Sequence, residues 1–232
     1  MLRPPFINGE VYHVFNRGVD KRRTFMQTRD YLRFVHDIFE FNDTHPASNV
    51  NYYFGAKPSA ILLPHREPRE LLVEVLCFCL MPNHYHFLLR QRQNHGISEF
   101  MRKIGTGYTN YFNEKYDRSG ALFQGKFKAI RITAHAHLLY LPHYIHLNPL
   151  DLIMPEWREQ NITNAKKALR FLASYRWSSY ADFIGKRNFP SLTQRDFLHS
   201  IYGSRTSINY KKDFEAWVRH LDLDAVKDVI ME

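Results

Sequence analysis

The chain has 232 residues, 44% of them hydrophobic and 24% charged, an ordinary balance for a globular protein long enough to bury a substantial core. No apolar run reaches the roughly 18 residues of a membrane span, no signal-peptide core opens the chain, and only Cys77 and Cys79 are present, so a disulfide framework is excluded and a reducing cytoplasm is expected. Thirty-two Lys and Arg against 23 Asp and Glu leave a net charge of +9, and with 14 Tyr and 18 Phe beside them the fitting partner is a single-stranded nucleic acid, whose bases stack on aromatic faces while cations follow the phosphates.

Glu10 to Phe15 reads as a strand ended by a turn at Asn16-Arg17-Gly18. Asp30 to Phe41 sets Leu32, Val35, Ile38 and Phe39 at helical spacing. An insertion over about 42–71 is rich in Asn, Pro, Ser and His, with Ile61-Leu62-Leu63 as a candidate short strand. Leu72 to Leu80 is an apolar run interrupted only by Glu74, and Met81-Pro82-Asn83 separates it from His84 to Arg90, the pattern of a hairpin. Ser98 is the expected N-cap of a helix through Tyr116, with Glu99 in its first turn. Gly120 to Ile132 has strand character, and Thr133 caps a helix from Ala134 to Asn148 that Pro149 stops. The order strand, helix, two strands, helix, strand, helix predicts an α+β fold, an antiparallel sheet with flanking helices. Beyond Pro149 come short helical pieces rich in Trp, Tyr and basic residues, then a helix expected from Asp213 to Glu232. The division is therefore a domain over 1–150 and a C-terminal helical accessory region over 151–232.

His84 and His86 are the most informative residues. On a strand, alternation sends both to one face and Tyr85 to the other, so two imidazoles can converge on one metal ion. Two ligands leave a catalytic metal short of a third. Asn148 can offer a carbonyl oxygen to Mg²⁺ or Mn²⁺, and Tyr144, one helical turn before it, shares its face. A tyrosine there could attack a metal-bound phosphate and form a phosphotyrosine link. The bland alternative is a core tyrosine and an asparagine that caps its helix. Tyr108, Tyr111 and Tyr116 are rival nucleophiles on the preceding helix, and Tyr108 and Tyr111 share a face suited to core packing or base stacking. Arg102, Lys103, Lys115, Arg118, Lys126, Lys128 and Arg131 are candidates for phosphate contacts. Cys77 and Cys79 with His84 and His86 spell C-x-C-x₄-H-x-H, an alternative structural zinc site without nucleophile chemistry. His13 and His146 read as structural, and His146 should point away from Tyr144.

Four segments carry a family resemblance: Tyr12-His13-Val14-Phe15-Asn16-Arg17-Gly18, Met81-Pro82-Asn83-His84-Tyr85-His86, Tyr144-Ile145-His146-Leu147-Asn148-Pro149 and Trp177-Ser178-Ser179-Tyr180. Together they resemble the REP-associated tyrosine transposases, a branch of the HUH (histidine–hydrophobic–histidine) single-strand transposases and endonucleases. The resemblance implies a compact ferredoxin-like sheet with the histidine pair on a central strand. It implies Mg²⁺ or Mn²⁺ held by His84, His86 and Asn148, and Tyr144 as the nucleophile that cleaves single-stranded DNA at hairpins, retains the 5′ phosphate and later transfers it to another strand. The DNA contacts expected are Arg17, Arg102, Lys103, Tyr108, Arg118, Lys126, Lys128 and Arg131; neither a small-molecule substrate nor a membrane is implied. Pro142, two residues before Tyr144, departs from a regular helix and is expected to kink or restart it, and Tyr85 replaces the usual aliphatic residue. A descendant that binds hairpin DNA or RNA without cutting it is the second alternative, and nothing in the pattern chooses between monomer and homodimer.

Overall fold

The structure, a computed structural model, describes residues 5–47, 68–203 and 207–230. The candidate strand at Ile61-Leu62-Leu63 lies outside the described residues. Among the described residues β1 (Val11–Arg17), β2 (Val73–Met81), β3 (His84–Gln91) and β4 (Lys128–Ile132) form one sheet in the order β2-β3-β1-β4, every neighbouring pair antiparallel. Helices α1 (Thr28–Glu40) and α2 (Gly96–Lys115) cover one face, and α3 (His135–Leu147) lies on the other. The α+β architecture is the one expected.

Both faces of the sheet are apolar, which is why β2 reads as an unbroken hydrophobic run. On β3, Tyr85, Phe87 and Leu89 enter a core with Phe34, Ile38, Phe100 and Ile104, while Leu88 joins Leu141, Tyr144 and Ile145 on the opposite side. A bulge between Val75 and Cys77 sends Leu76 and Cys77 into that second core together. The second core also takes Trp157, Leu172, Phe214 and Val226, so the chain after Pro149 packs against the same sheet face as α3. The Trp177-Ser178-Ser179 segment shields the β2 edge: Leu80 N–H donates to the Trp177 carbonyl at 2.8 Å and Ser179 N–H to the Phe78 carbonyl at 3.0 Å.

Several element ends differ from expectation because tertiary contacts decide them. Asn16 and Arg17 belong to β1 rather than to a turn, since Tyr85 and His84 stand opposite them on β3. Helix α1 starts at Thr28 with a capping box in which the Asp30 carboxylate accepts from the Gln27 N–H at 2.9 Å. Helix α2 starts at Gly96, not after Ser98, with His95 in the left-handed region at φ 62°. A Cβ on Gly96 would lie 2.2 Å from the Leu72 carbonyl oxygen, so only glycine lets the helix begin against β2. Strand β4 is confined to Lys128–Ile132, and the loop before it is tied back where Gln124 N–H donates to the Arg17 carbonyl at 2.7 Å.

Helix α3 continues through Pro142 without restarting there. A proline inside a helix costs about 3 kcal/mol. Leu141, Tyr144, Ile145 and Leu147 are all fully buried around it, and each such side chain stabilises by roughly 1.5–3 kcal/mol, so packing outweighs the missing hydrogen bond. Helices α4 (Ala165–Ser174), α5 (Tyr180–Phe183), α6 (Asp196–Ile201) and α7 (Ser207–Arg219) follow. The single helix expected from Asp213 ends instead at Arg219, and the Asp222 side chain accepts from the Asp224 N–H at 2.9 Å to turn the chain into a 3₁₀ segment, Asp224–Val229. Among the described residues no helix is long and apolar enough to cross a membrane.

Candidate active site

Because β3 is an inner strand, His84 and His86 are held between β1 and β2: His86 stands opposite Phe15 on one side and Cys79 on the other. Alternation puts both imidazoles on the α3 face, with ring centroids 5.1 Å apart and planes nearly perpendicular at 89°. His84 is 8% exposed and His86 2%. Burial pushes His84 down to about 4, with Arg17 adding in the same direction and Asp151 opposing, and burial drives His86 well down too, so both rings are neutral near pH 7. His84 Nδ1 lies 2.7 Å from Asn83 Oδ1, and His86 Nδ1 lies 3.0 Å from His13 Nε2. The histidines line a cleft of about 280 Å³ with Phe15, Arg17, Gln124 and Lys128 around them.

Helix α3 brings Tyr144 and Asn148 to this face. The Tyr144 ring meets His86 edge-on at 6.1 Å, standing behind it rather than on the wall of the cleft. Asn148 caps α3, its amide donating to the Tyr144 carbonyl at 2.9 Å, and that bond turns Oδ1 away from the helix. Arg158, from the 3₁₀ segment Pro155–Glu159, then gathers the group: one Nη donates to the Tyr144 hydroxyl at 3.2 Å and the other to Asn148 Oδ1 at 3.2 Å. The guanidinium is itself held by Asp151, through Nε at 2.9 Å and Nη2 at 2.7 Å, and Trp157 Nε1–H donates to the same carboxylate at 2.6 Å. Arg158, Asp151 and Trp157 were not foreseen; their only signal in the sequence is that they follow directly after the Asn148-Pro149 segment.

The donor set fits a divalent cation. Two neutral imidazoles stand side by side, and His84 Nε2 is buried with no hydrogen-bond partner among the described residues. The Asn148 side chain is close enough to act on the protonation of His84. The four-ligand zinc alternative is not assembled: Cys77 and Cys79 are buried free thiols, and no group of three or more His, Cys, Asp and Glu suited to a metal occurs among the described residues.

The rival tyrosines sit on the wrong side of the sheet. Tyr108 donates to the Thr24 carbonyl at 2.7 Å, and Tyr111 and Tyr116 donate to the Asp30 carboxylate. Tyr108 is fully buried and cannot offer a face to a base, which corrects its expected DNA contact. Four of the expected cations have partners within the protein, Arg102 among them, held by Glu99 through two bonds at 2.9 and 2.6 Å. Lys103 donates to the Asp43 carbonyl at 2.7 Å, Arg118 to Asn113 Oδ1 at 2.6 Å, and Arg131 pairs with Glu10 at 3.2 Å. Arg17 and Lys128 face the histidine cleft, while Arg102 and Lys126 line a second groove of about 460 Å³ that shares Asn16 and Tyr85 with it. His146 points away from Tyr144, as expected, onto Tyr210 and Ser179.

The site sits on an α+β fold: an antiparallel sheet with paired histidines on an inner strand and a tyrosine–asparagine helix packed behind them. Residues 65–148, which include His84, His86, Tyr144 and Asn148, match the family model described as transposase IS200 like. A solved structure described as a REP-associated tyrosine transposase bound to a REP hairpin has the same fold, with a TM-score of 0.52 and 13% identity over 80% of this chain and 85% of that one. No curated protein matches the chain.

Proposed function

We propose that the protein is a metal-dependent endonuclease and strand transferase for single-stranded DNA hairpins, with Tyr144 as nucleophile. The observation that carries this reading is the meeting of Tyr144 with the histidine pair, its ring edge-on to His86 and its hydroxyl in the grip of Arg158. The hairpin partner is supported by the solved relative of like fold, which is described as bound to one.

Arg17 and Lys128 draw a phosphate into the cleft. Tyr144 is buried behind His86, so the reaction requires its ring to move into the cleft; its oxygen then bonds to phosphorus as its proton passes to solvent, and the P–O3′ bond breaks. The leaving oxygen takes up a proton and becomes a 3′-hydroxyl, while the 5′ phosphate stays on Tyr144. A 3′-hydroxyl attacking the phosphotyrosine reverses the exchange without an external energy source. Arg158 stabilises the charge that gathers on the Tyr144 oxygen and on the phosphate. His84, His86 and Asn148 would hold Mg²⁺ or Mn²⁺, which when bound polarises the scissile phosphate. Strand continuing from the cleft follows the adjoining groove past Arg102 and Lys126.

Hairpin oligonucleotides labelled at the 5′ or the 3′ end test this with Mg²⁺ or Mn²⁺ present. Only the fragment downstream of the cut should migrate as a covalent adduct, and Tyr144→Phe should abolish it. An undiminished adduct in Tyr144→Phe overturns the nucleophile, and a retarded hairpin that is never cut overturns the reaction in favour of a binding protein.

A further inference from the structure

An imidazole binds a cation through a nitrogen that carries no proton, so a histidine ligand works only in one of its two neutral forms. What fixes that form lies one contact behind each histidine, and in both cases the chain of contacts ends on a backbone carbonyl. A carbonyl can only accept a hydrogen bond, so the direction of every proton behind it follows.

Behind His86 stands His13 on β1. Val229 in the C-terminal 3₁₀ segment places its carbonyl oxygen 2.7 Å from His13 Nδ1, so that nitrogen must carry the proton. His13 is fully buried, and an imidazolium there would have no carboxylate hydrogen-bonded to it among the described residues, so it is the neutral form. Its Nε2 is therefore an acceptor, and His86 Nδ1, 3.0 Å away, must donate to it. Behind His84 stands Asn83. Its amide nitrogen donates to the Lys21 carbonyl at 3.1 Å, which orients the side chain and leaves Oδ1 as the acceptor 2.7 Å from His84 Nδ1. Both imidazoles thus hold their proton on Nδ1 and keep a lone pair on Nε2.

We infer that His13 and Asn83 are positioning residues that hold His86 and His84 as Nδ1–H tautomers, and that the C-terminal segment sets this state for His86 through the Val229 carbonyl. The inference rests on the reading of the two histidines as metal ligands and adds to it how they are prepared. It gives the C-terminal segment a task at the centre of the sheet, 216 positions along the chain from His13.

The test is nitrogen NMR of the histidine rings in full-length, metal-free protein at pH 7.5, together with Mn²⁺ binding followed by the EPR signal of the free ion. Wild type should show protonated Nδ1 and unprotonated Nε2 at both positions. His13→Phe should release His86 into a mixture of tautomers without changing His84, and Asn83→Ala should do the converse. His13→Gln puts an amide oxygen where the imidazole Nε2 stood, so it should restore the His86 tautomer. Mn²⁺ affinity should fall roughly 10- to 100-fold in His13→Phe and return in His13→Gln. A wild-type His86 protonated on Nε2 overturns the inference, as does a His13→Phe protein with unchanged tautomer and Mn²⁺ affinity. Wild type that binds no Mn²⁺ would sink the metal reading, while the metal-free spectra still decide the tautomers.

Discussion

Arg158 donates to the hydroxyl of Tyr144 at 3.2 Å while Asp151 holds the other edge of the guanidinium in a two-point fork. A planar donor fixed in this way is preorganised for charge on the tyrosine oxygen, and removing one such donor typically lowers a rate 10²- to 10³-fold. Arg158→Ala should therefore slow formation of the covalent DNA adduct by about 10²-fold in single-turnover experiments, with hairpin affinity changed far less. Arg158→Lys should recover only part of the loss, because one ammonium cannot keep the fork on Asp151 and reach both Tyr144 and Asn148. Equal rates for wild type and Arg158→Ala would remove Arg158 from the reaction.

The expected DNA-binding cations divide into two groups that salt titration can separate. Arg17 and Lys128 line the histidine cleft, whereas Lys103 and Arg131 are committed to the Asp43 carbonyl and to Glu10. Removing one cation that neutralises a phosphate of a single strand lowers the slope of log affinity against log salt by about 0.7. Arg17→Ala and Lys128→Ala should each show that change in fluorescence anisotropy with a hairpin oligonucleotide. Lys103→Ala and Arg131→Ala should keep the wild-type slope, and a decrease equal to that at the cleft would show that the DNA path runs elsewhere.

The parts of the site set by local periodicity were legible in the sequence. Alternation alone puts His84 and His86 on one face, and helical spacing puts Tyr144 and Asn148 together, because both depend on residues within one turn or one strand. Arg158 and the Val229 carbonyl were not legible, since the chain must fold back over α3 and β1 before either has a partner there. Tyr108 illustrates the opposite error: its spacing from Tyr111 suits a stacking platform, but the sheet is covered on both faces and α2 takes Tyr108 into the core. The start of α2 was misplaced for a similar reason, because Ser98 has the chemistry of a cap while the helix end is decided by the Leu72 carbonyl.

That close approach yields a prediction in stability. The Leu72 carbonyl cannot move aside for a Cβ at Gly96, because it accepts hydrogen bonds from the Arg92 and Gln93 N–H groups at 3.1 and 3.2 Å. Gly96→Ala should therefore destabilise the fold by about 1–3 kcal/mol, the usual cost of forced overpacking. At Gly105 on the same helix a Cβ would meet nothing within 4 Å, so Gly105→Ala should leave stability unchanged or raise it by up to about 1 kcal/mol. Urea denaturation with an unchanged m-value checks both, and comparable losses at the two positions would refute the steric account.

His143 should make the fold acid-sensitive. It is buried among the rings of Tyr202, Tyr210, Phe214 and Trp217, and neither ring nitrogen has a hydrogen-bond partner among the described residues. Burial pushes it down to about 3 from an ordinary 6.5. Between those values the unfolded chain binds a proton that the folded chain does not, so stability rises with pH and falls as pH drops below about 6.5. At pH 5 the penalty from this one residue is about 2 kcal/mol. His143→Leu removes the group that titrates only when unfolded and keeps an apolar side chain of similar size. Its Tm should therefore exceed that of wild type by more at pH 5 than at pH 8, as measured by circular dichroism in matched buffers. A constant difference between the variants across that range would mean that His143 is not held neutral by the fold.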